Sequence, residues 1–253
     1  MTSYMTKYGV INVKETIYCG EKVRTMYMGG AGESSTFLDP ARKYELVSQY
    51  TALFDKAFDI NPEIQTVLMI GGGGYSYPKH LISQRPDVFM DVVEINRKCL
   101  DLSLRYFFLG DLIEEYDLNN TKRLAFIIGD GREFISQVRN ESYDLIINDA
   151  FMGSEHETSL SAYSSAHNFS RILMPGGLYL MNIVGSVEGP DSEFLNNTCA
   201  TLRRFFKHTY LIRTGSHDPV KVSNNLLIAT DRTTDIPGGF EFIPREDARV
   251  IPD

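Results

Sequence analysis

The sequence predicts an α/β protein built on a Rossmann-like, mostly parallel sheet of seven strands, with a small amino-terminal β-hairpin lobe. Three observations carry this. The apolar run Val67-Leu68-Met69-Ile70 enters the glycine turn Gly71-Gly72-Gly73-Gly74, a second strand ends Val92-Val93-Glu94, and a third leads into Gly129-Asp130-Gly131. An apolar strand that reverses through glycine, followed by two strands that end in carboxylates, is how such a sheet holds a nucleoside at the carboxyl ends of its strands.

The elements follow in chain order. From Val10 to Tyr27 the residues alternate imperfectly around Gly20-Glu21, which reads as a hairpin outside the main sheet. Gly29-Gly30-Ala31-Gly32 is a loop. Asp39-Pro40 then starts a helix with Tyr44, Leu46, Val47, Tyr50, Leu53 and Phe54 on its apolar face. Beyond it, strands are expected near 66 to 70, 89 to 94, 124 to 128, 143 to 148, 177 to 183, 207 to 213 and 224 to 230. Helical patterns separate the first six. None fits between the last two, so the loop Thr214-Gly215-Ser216-His217-Asp218-Pro219 joins them as an antiparallel pair. Seven strands that end this way outline the AdoMet-dependent methyltransferase fold. The expected division is residues 1–60 as lobe and connecting helix, and residues 61–253 as the nucleoside-binding unit.

Composition excludes several classes of function. With 253 residues, 43% of them hydrophobic, the chain can bury a sizeable core. A formal charge of -8 and a pI near 5.2 argue against a general affinity for nucleic acid or anionic membrane, both of which need a positive surface. Cys19, Cys99 and Cys199 are odd in number and far apart, without a CxxC pair, so neither a disulfide framework nor a metal site is expected. No basic leader and no apolar stretch of membrane length are evident, which makes the cytoplasm the expected compartment.

The candidate site residues follow from what the ligand needs. Gly71, Gly72, Gly73 and Gly74 supply the positive φ and the bare backbone of a turn pressed against a ligand. Glu94, some two dozen residues on, is placed to accept hydrogen bonds from ribose hydroxyls. Asp130, with Gly131 behind it, is placed to accept from the exocyclic amine of adenine, although Asp before Arg132-Glu133-Phe134 also suits a helix cap. A dinucleotide reading fares worse, because Ser76 stands where the third glycine of G-x-G-x-x-G would close the helix on the strand, and it leaves Asp130 unexplained. Asp149, at the end of Tyr143-Asp144-Leu145-Ile146-Ile147-Asn148, is expected to face a sulfonium or an acceptor amine. Phe151 would wall the adenine or the acceptor. Tyr75, Tyr77, His80 and Tyr163 are candidates on the acceptor side, and Glu155, His156 and Glu157 offer a base from a loop.

On these residues the chain resembles the spermidine synthases and spermidine-synthase-like proteins. The likeness runs through the amino-terminal hairpin, Tyr44, Gly71-Gly72-Gly73, Val93-Glu94-Ile95, Gly129-Asp130-Gly131, Tyr143-Asp144 and Pro175-Gly176-Gly177. The resemblance implies an adenosine-containing cofactor, AdoMet or its decarboxylated form, held on Glu94 and Asp130, with a small-molecule acceptor, an amine among the possibilities, and a homodimer as one assembly. The departures are chemical. Aminopropyltransferases of this family look like GGGDG at the loop, where this chain has Gly74 and Tyr75, and carry a second acid where it has Met152. Their Tyr-His pair is read here as Tyr44-Glu45.

Aminopropyl transfer needs an amine with a pKa of about 10 to lose its proton, and Met152 cannot take it. A loop Asp would favour a bare ammonium tail and repel a carboxylate, whereas Gly74 does neither. Methyl transfer from AdoMet is therefore the first reading, with Asp149, Tyr75 and Tyr163 as catalytic candidates. Aminopropyl transfer to a polyamine is the second. A nucleoside-binding family member without turnover is the third.

Overall fold

A computed structural model describes the chain apart from residues 153, 154, 157, 216 and 217, and describes the backbone alone at residues 31, 33, 152, 155 and 156. The amino-terminal residues form an antiparallel sheet of four strands in sequential order: β1 (Thr2–Thr6), β2 (Gly9–Tyr18), β3 (Glu21–Met28) and β4 (Ala31–Phe37). The expected hairpin is its centre. Cys19 and Gly20 turn it with φ of 50° and 85°, the positive pair that a two-residue hairpin turn demands. Strands β1 and β4 lie outside the expected hairpin because their sequences, TSYMT and AGESSTF, are too polar to show a buried face.

The single helix expected from Asp39 is a correction. Asp39 does cap a turn, accepting from Ala41 N, but the turn ends at Arg42. The chain then passes through α1 (Gln49–Ala52), a tight turn over Leu53–Asp55, and α2 (Lys56–Ile60). The physical reason is a divided core. Val47 packs with Val23 and Phe37 of the amino-terminal sheet, whereas Phe54 and Phe58 pack under the central sheet. One straight helix with one apolar face does not serve both.

The central sheet begins with β5 (Thr66–Ile70), α3 (Ser76–Gln84), β6 (Phe89–Glu94), α4 (Arg97–Tyr106), α5 (Leu109–Glu115), α6 (Leu118–Thr121), β7 (Leu124–Ile128) and α7 (Gly131–Gln137). It continues with β8 (Tyr143–Asn148), a short pair β9 (Phe151–Met152) and β10 (Glu155–His156), α8 (Tyr163–Ile172), β11 (Leu173–Gly185), α9 (Glu193–Leu202), β12 (His208–Arg213), β13 (Ser223–Thr230) and β14 (Gly239–Glu241). The order across the sheet is β14-β12-β13-β11-β8-β5-β6-β7. Strands β5, β6, β7, β8 and β11 run parallel, and β13 inserts antiparallel between β11 and β12. This is the Rossmann-like methyltransferase fold, with the short edge strand β14 as an eighth beyond the seven expected.

The sheet is buried on both faces, which is why its strands read as continuous apolar runs. Val67 and Met69 enter one core with Leu145 and Ile147, and Leu68 and Ile70 enter the opposite core with Ile146, as the two-residue period of a strand dictates. Asp144 Oδ2 ties β8 to the start of β5 by accepting from Thr66 N at 2.9 Å, from its hydroxyl at 2.8 Å and from Gln65 N at 3.0 Å. The buried Lys79 of α3 joins the two sheets, its ammonium donating to Thr36 Oγ1 and to the carbonyls of Lys43 and Phe107.

Candidate functional site

Because β5 to β8 run parallel, their carboxyl ends open at one edge, and a cavity of about 790 Å³ lies there. Gly71–Gly73, Glu94–Asn96, Gly129–Arg132 and Asp149–Phe151 line it from the strand ends, and Asn182 and Val184 from β11. The turns of the amino-terminal sheet, at Tyr8–Val10 and Gly29–Gly30, cover it from outside.

The glycine turn is forced by contact. Gly71 has φ of +96°, and a Cβ on it would stand 2.4 Å from the carbonyl oxygen of Asp149. No side chain fits there, so the ends of β5 and β8 approach through bare backbone. Glu94 fixes the turn from the next strand. Its Oε2 accepts from Gly72 N and Gly73 N, both at 2.9 Å, and its Oε1 accepts from Asn96 N at 2.8 Å. Burial pushes this carboxyl up, and the backbone amides of Asn96, Gly73, Gly72 and Ile95 pull it back toward the ionised form. A carboxylate offers about four acceptor positions, so most of those on Glu94 are already occupied by the backbone. Its first task is to shape the loop, which limits what it can offer a ribose.

Asp130 realises the cap. Its Oδ1 accepts from Glu133 N at 3.0 Å at the start of α7, and the residue is exposed at the cavity wall. Its Oδ2 carries no hydrogen bond among the described residues. Gly131 lies against β5, where a Cβ would come within 2.6 Å of Ile70 Cγ2.

Asp149 is half-buried at the cavity. Asn182 Nδ2 donates to its Oδ1 at 2.9 Å and the Tyr50 hydroxyl to its Oδ2 at 3.3 Å. Burial pushes the carboxyl up to about 7, against the opposing pull of those two donors. A carboxylate so poised can exchange a proton near neutrality.

Tyr75 and Tyr163, expected at the acceptor side, stand away from the cavity. Tyr75 takes a left-handed conformation, φ 57°, which turns its ring under the glycine loop against Phe126 at 5.6 Å. The ring is fully buried, its hydroxyl has no partner, and burial holds the phenol protonated. Tyr163 begins α8, half in solvent, with its ring 4.8 Å from that of Phe205. Gly74 also faces elsewhere. Its N–H donates to Ser34 Oγ at 2.8 Å, and a Cβ on it would meet Ser34 Cβ at 2.6 Å.

Tyr77 reaches the cavity wall with its hydroxyl on Asp55, which also holds His80 Nε2 at 3.0 Å. Tyr44, read as the family's tyrosine, bonds Glu115 on α5 instead. The cavity tyrosine that bonds Asp149 is Tyr50, six residues nearer the first core strand than Tyr44. Glu157 lies outside the described residues, as do the side chains of Met152, Glu155 and His156. Asn182 carried no signal, being one polar residue in an apolar strand. Among the described residues no cluster of His, Cys, Asp and Glu is placed to hold a metal ion, and no helix is long and apolar enough to cross a membrane.

Three comparisons bear on this arrangement. Residues 49–214 match the spermine/spermidine synthase domain, a span that includes Tyr50 and excludes Tyr44. A polyamine aminopropyltransferase of Vibrio vulnificus is 26% identical over 188 residues, 74% of this chain and 58% of that protein. The chain spans about half the length of the curated relatives it matches. Among solved structures, a probable spermidine synthase from Corynebacterium glutamicum superposes with a TM-score of 0.76 at 20% identity, covering 92% of this chain and 81% of the other. Human methyltransferase-like protein 13 in complex with SAH gives 0.60 at 21% identity, covering 76% and 87%. At these identities the structural likeness speaks for the fold alone.

Proposed function

The chain belongs to the spermine/spermidine synthase domain family, and from that premise we propose that it is a transferase that binds intact AdoMet and passes its methyl group to a small-molecule acceptor. The observation that carries the choice of methyl transfer is at Gly74. Where aminopropyltransferases of the family place an acid, Ser34 fills the space a side chain would need and offers a hydroxyl to the loop. A hydroxyl does not repel a carboxylate tail, as an acid would.

The residues fit such a nucleoside. Gly71, Gly72 and Gly73 allow backbone to lie against it, Glu94 at the cavity wall holds them in place beside the ribose, and Asp130 presents Oδ2 to an exocyclic amine. When bound, AdoMet supplies a methyl carbon on a sulfonium, open to attack by a nucleophile. Asp149, steadied by Tyr50 and Asn182, orients the acceptor and takes its proton. The same reading divides the chain into an amino-terminal unit, residues 1–60, and a cofactor-binding unit, residues 61–253.

Aminopropyl transfer from decarboxylated AdoMet is the second reading, favoured by the name of the Vibrio vulnificus relative. Incubation with either cofactor and a pool of cell metabolites, followed by mass analysis, separates the two. A gain of one methyl is expected. An aminopropyl gain would establish the second reading, and binding without product would leave a nucleoside-binding protein.

A further inference from the structure

On the reading that this cavity binds AdoMet, its roof carries a further inference. We infer that Asn96 is a positioning residue for the cofactor: it latches the turns of the amino-terminal sheet to the strand end that holds the glycine turn, and AdoMet leaves when that latch opens.

Asn96 follows β6, where an asparagine suits the cap of a helix, and its Oδ1 accepts from Lys98 N at 3.1 Å at the start of α4. Its own N–H donates to Glu94 Oε1. The cap fixes which way the amide faces, because only the oxygen can accept from Lys98, and this leaves Nδ2 aimed at the amino-terminal sheet. There it donates to Thr6 Oγ1 at 3.3 Å and to Met28 Sδ at 3.9 Å. Asn96 is only 3% exposed, so leaving that N–H unpaired would cost its full desolvation.

Thr6 ends β1 and Met28 ends β3, so one amide reaches the base of both turns that cover the cavity. The Thr6 hydroxyl gives its one proton to Gly9 O at 2.8 Å, and its two lone pairs take Tyr8 N at 3.1 Å and Asn96 Nδ2. Turn and latch therefore share one atom. The body of the sheet is tied elsewhere, by Lys79 to Thr36 and by Arg24 to the carbonyl of Tyr106. Its tips are lightly packed, since a Cβ on Gly9 or Gly30 would meet nothing within 4 Å. Tyr8–Val10 and Gly29–Gly30 line the same cavity as Glu94, so a nucleoside seated there is covered while the latch holds. A lightly packed tip on a firmly tied body is the part that opens for exchange.

Two variants of the full chain break the latch from either side, read by the release of labelled AdoMet into an excess of unlabelled AdoMet. Thr6→Val removes the hydroxyl with little change of shape, at a position outside the cavity lining. Asn96→Ser still caps α4 but is too short to reach Thr6. Each should speed release by about five- to tenfold, the worth of roughly one hydrogen bond. The double variant should release no faster than the faster single one, because both changes remove the same contact. A lower melting temperature with parent-like release in either folded variant would make the link merely structural and overturn the inference, as would accelerations that multiply. Hydrogen exchange of the parent gives a second reading. The amides of Tyr8–Val10 should exchange about tenfold more slowly with SAH bound, and equal exchange with and without it overturns the inference. Failure of the parent to bind AdoMet or SAH overturns it together with the reading beneath it.

Discussion

The Tyr50 hydroxyl donates to Asp149 Oδ2 at 3.3 Å, joining a short helix ahead of the sheet to the end of its fourth core strand. With Asn182 on Oδ1, this gives the carboxyl two neutral donors in a place where burial disfavours its charge. The balance between them sets when Asp149 can take a proton.

Asp149→Asn tests that balance. The folded-state pKa of about 7 lies above the ordinary carboxylate value, so the folded protein holds a proton that the unfolded chain has released, and stability falls as pH rises from about 4 to 7. Removing the group should raise stability at pH 8 by about 1 to 2 kcal/mol, a figure reduced for the water in the cavity, and leave pH 4 almost unchanged. Transfer should drop by about 100-fold. Urea unfolding at the two pH values reads the first effect, and a variant weaker than the parent at pH 8 would contradict it.

Tyr50→Phe removes one donor to the carboxylate. Methyl transfer in the parent should increase with pH toward a plateau above about 7, and the variant's midpoint should lie higher by about half a unit to one unit, the worth of one hydrogen bond. A pH profile of kcat/KM that keeps its midpoint would show that Tyr50 does not tune Asp149.

Glu94→Gln sets an amide N–H against a backbone N–H, because both carboxylate oxygens accept from amides. The expected cost is about 1 to 3 kcal/mol of stability, together with weaker AdoMet binding as the glycine turn loosens. Thermal melting and calorimetry report the two. Parent-like values in both would remove Glu94 from the site.

Tyr75→Phe should do the reverse of damaging a catalytic residue. The hydroxyl is buried without a partner, so its loss should stabilise the fold by about 1 kcal/mol and leave AdoMet affinity unchanged. A large loss of transfer in a well-folded variant would return Tyr75 to the acceptor side.

The strands were legible because their signals are local. Thr66–Ile70, Phe89–Glu94, Leu124–Ile128 and Tyr143–Asn148 end where apolar runs meet glycine or carboxylate, and Gly71 had to be glycine for reasons of φ that the pattern already implied. The segment after Pro40 reads as one helix although its apolar residues serve two cores, because spacing alone cannot tell two partial faces from one whole face.

The sequence by itself determined the parallel sheet, the glycine turn and which strand ends carry acids, because strand period and backbone freedom act over a few residues. Only the tertiary structure decided where those acids and tyrosines point. The left-handed φ of Tyr75 buries its ring, the amides of Gly72 and Gly73 occupy Glu94, and the partners of Asp149 lie 99 and 33 residues away. A side chain's environment is set by whatever the fold brings against it, and neighbours that distant leave no mark in the local pattern.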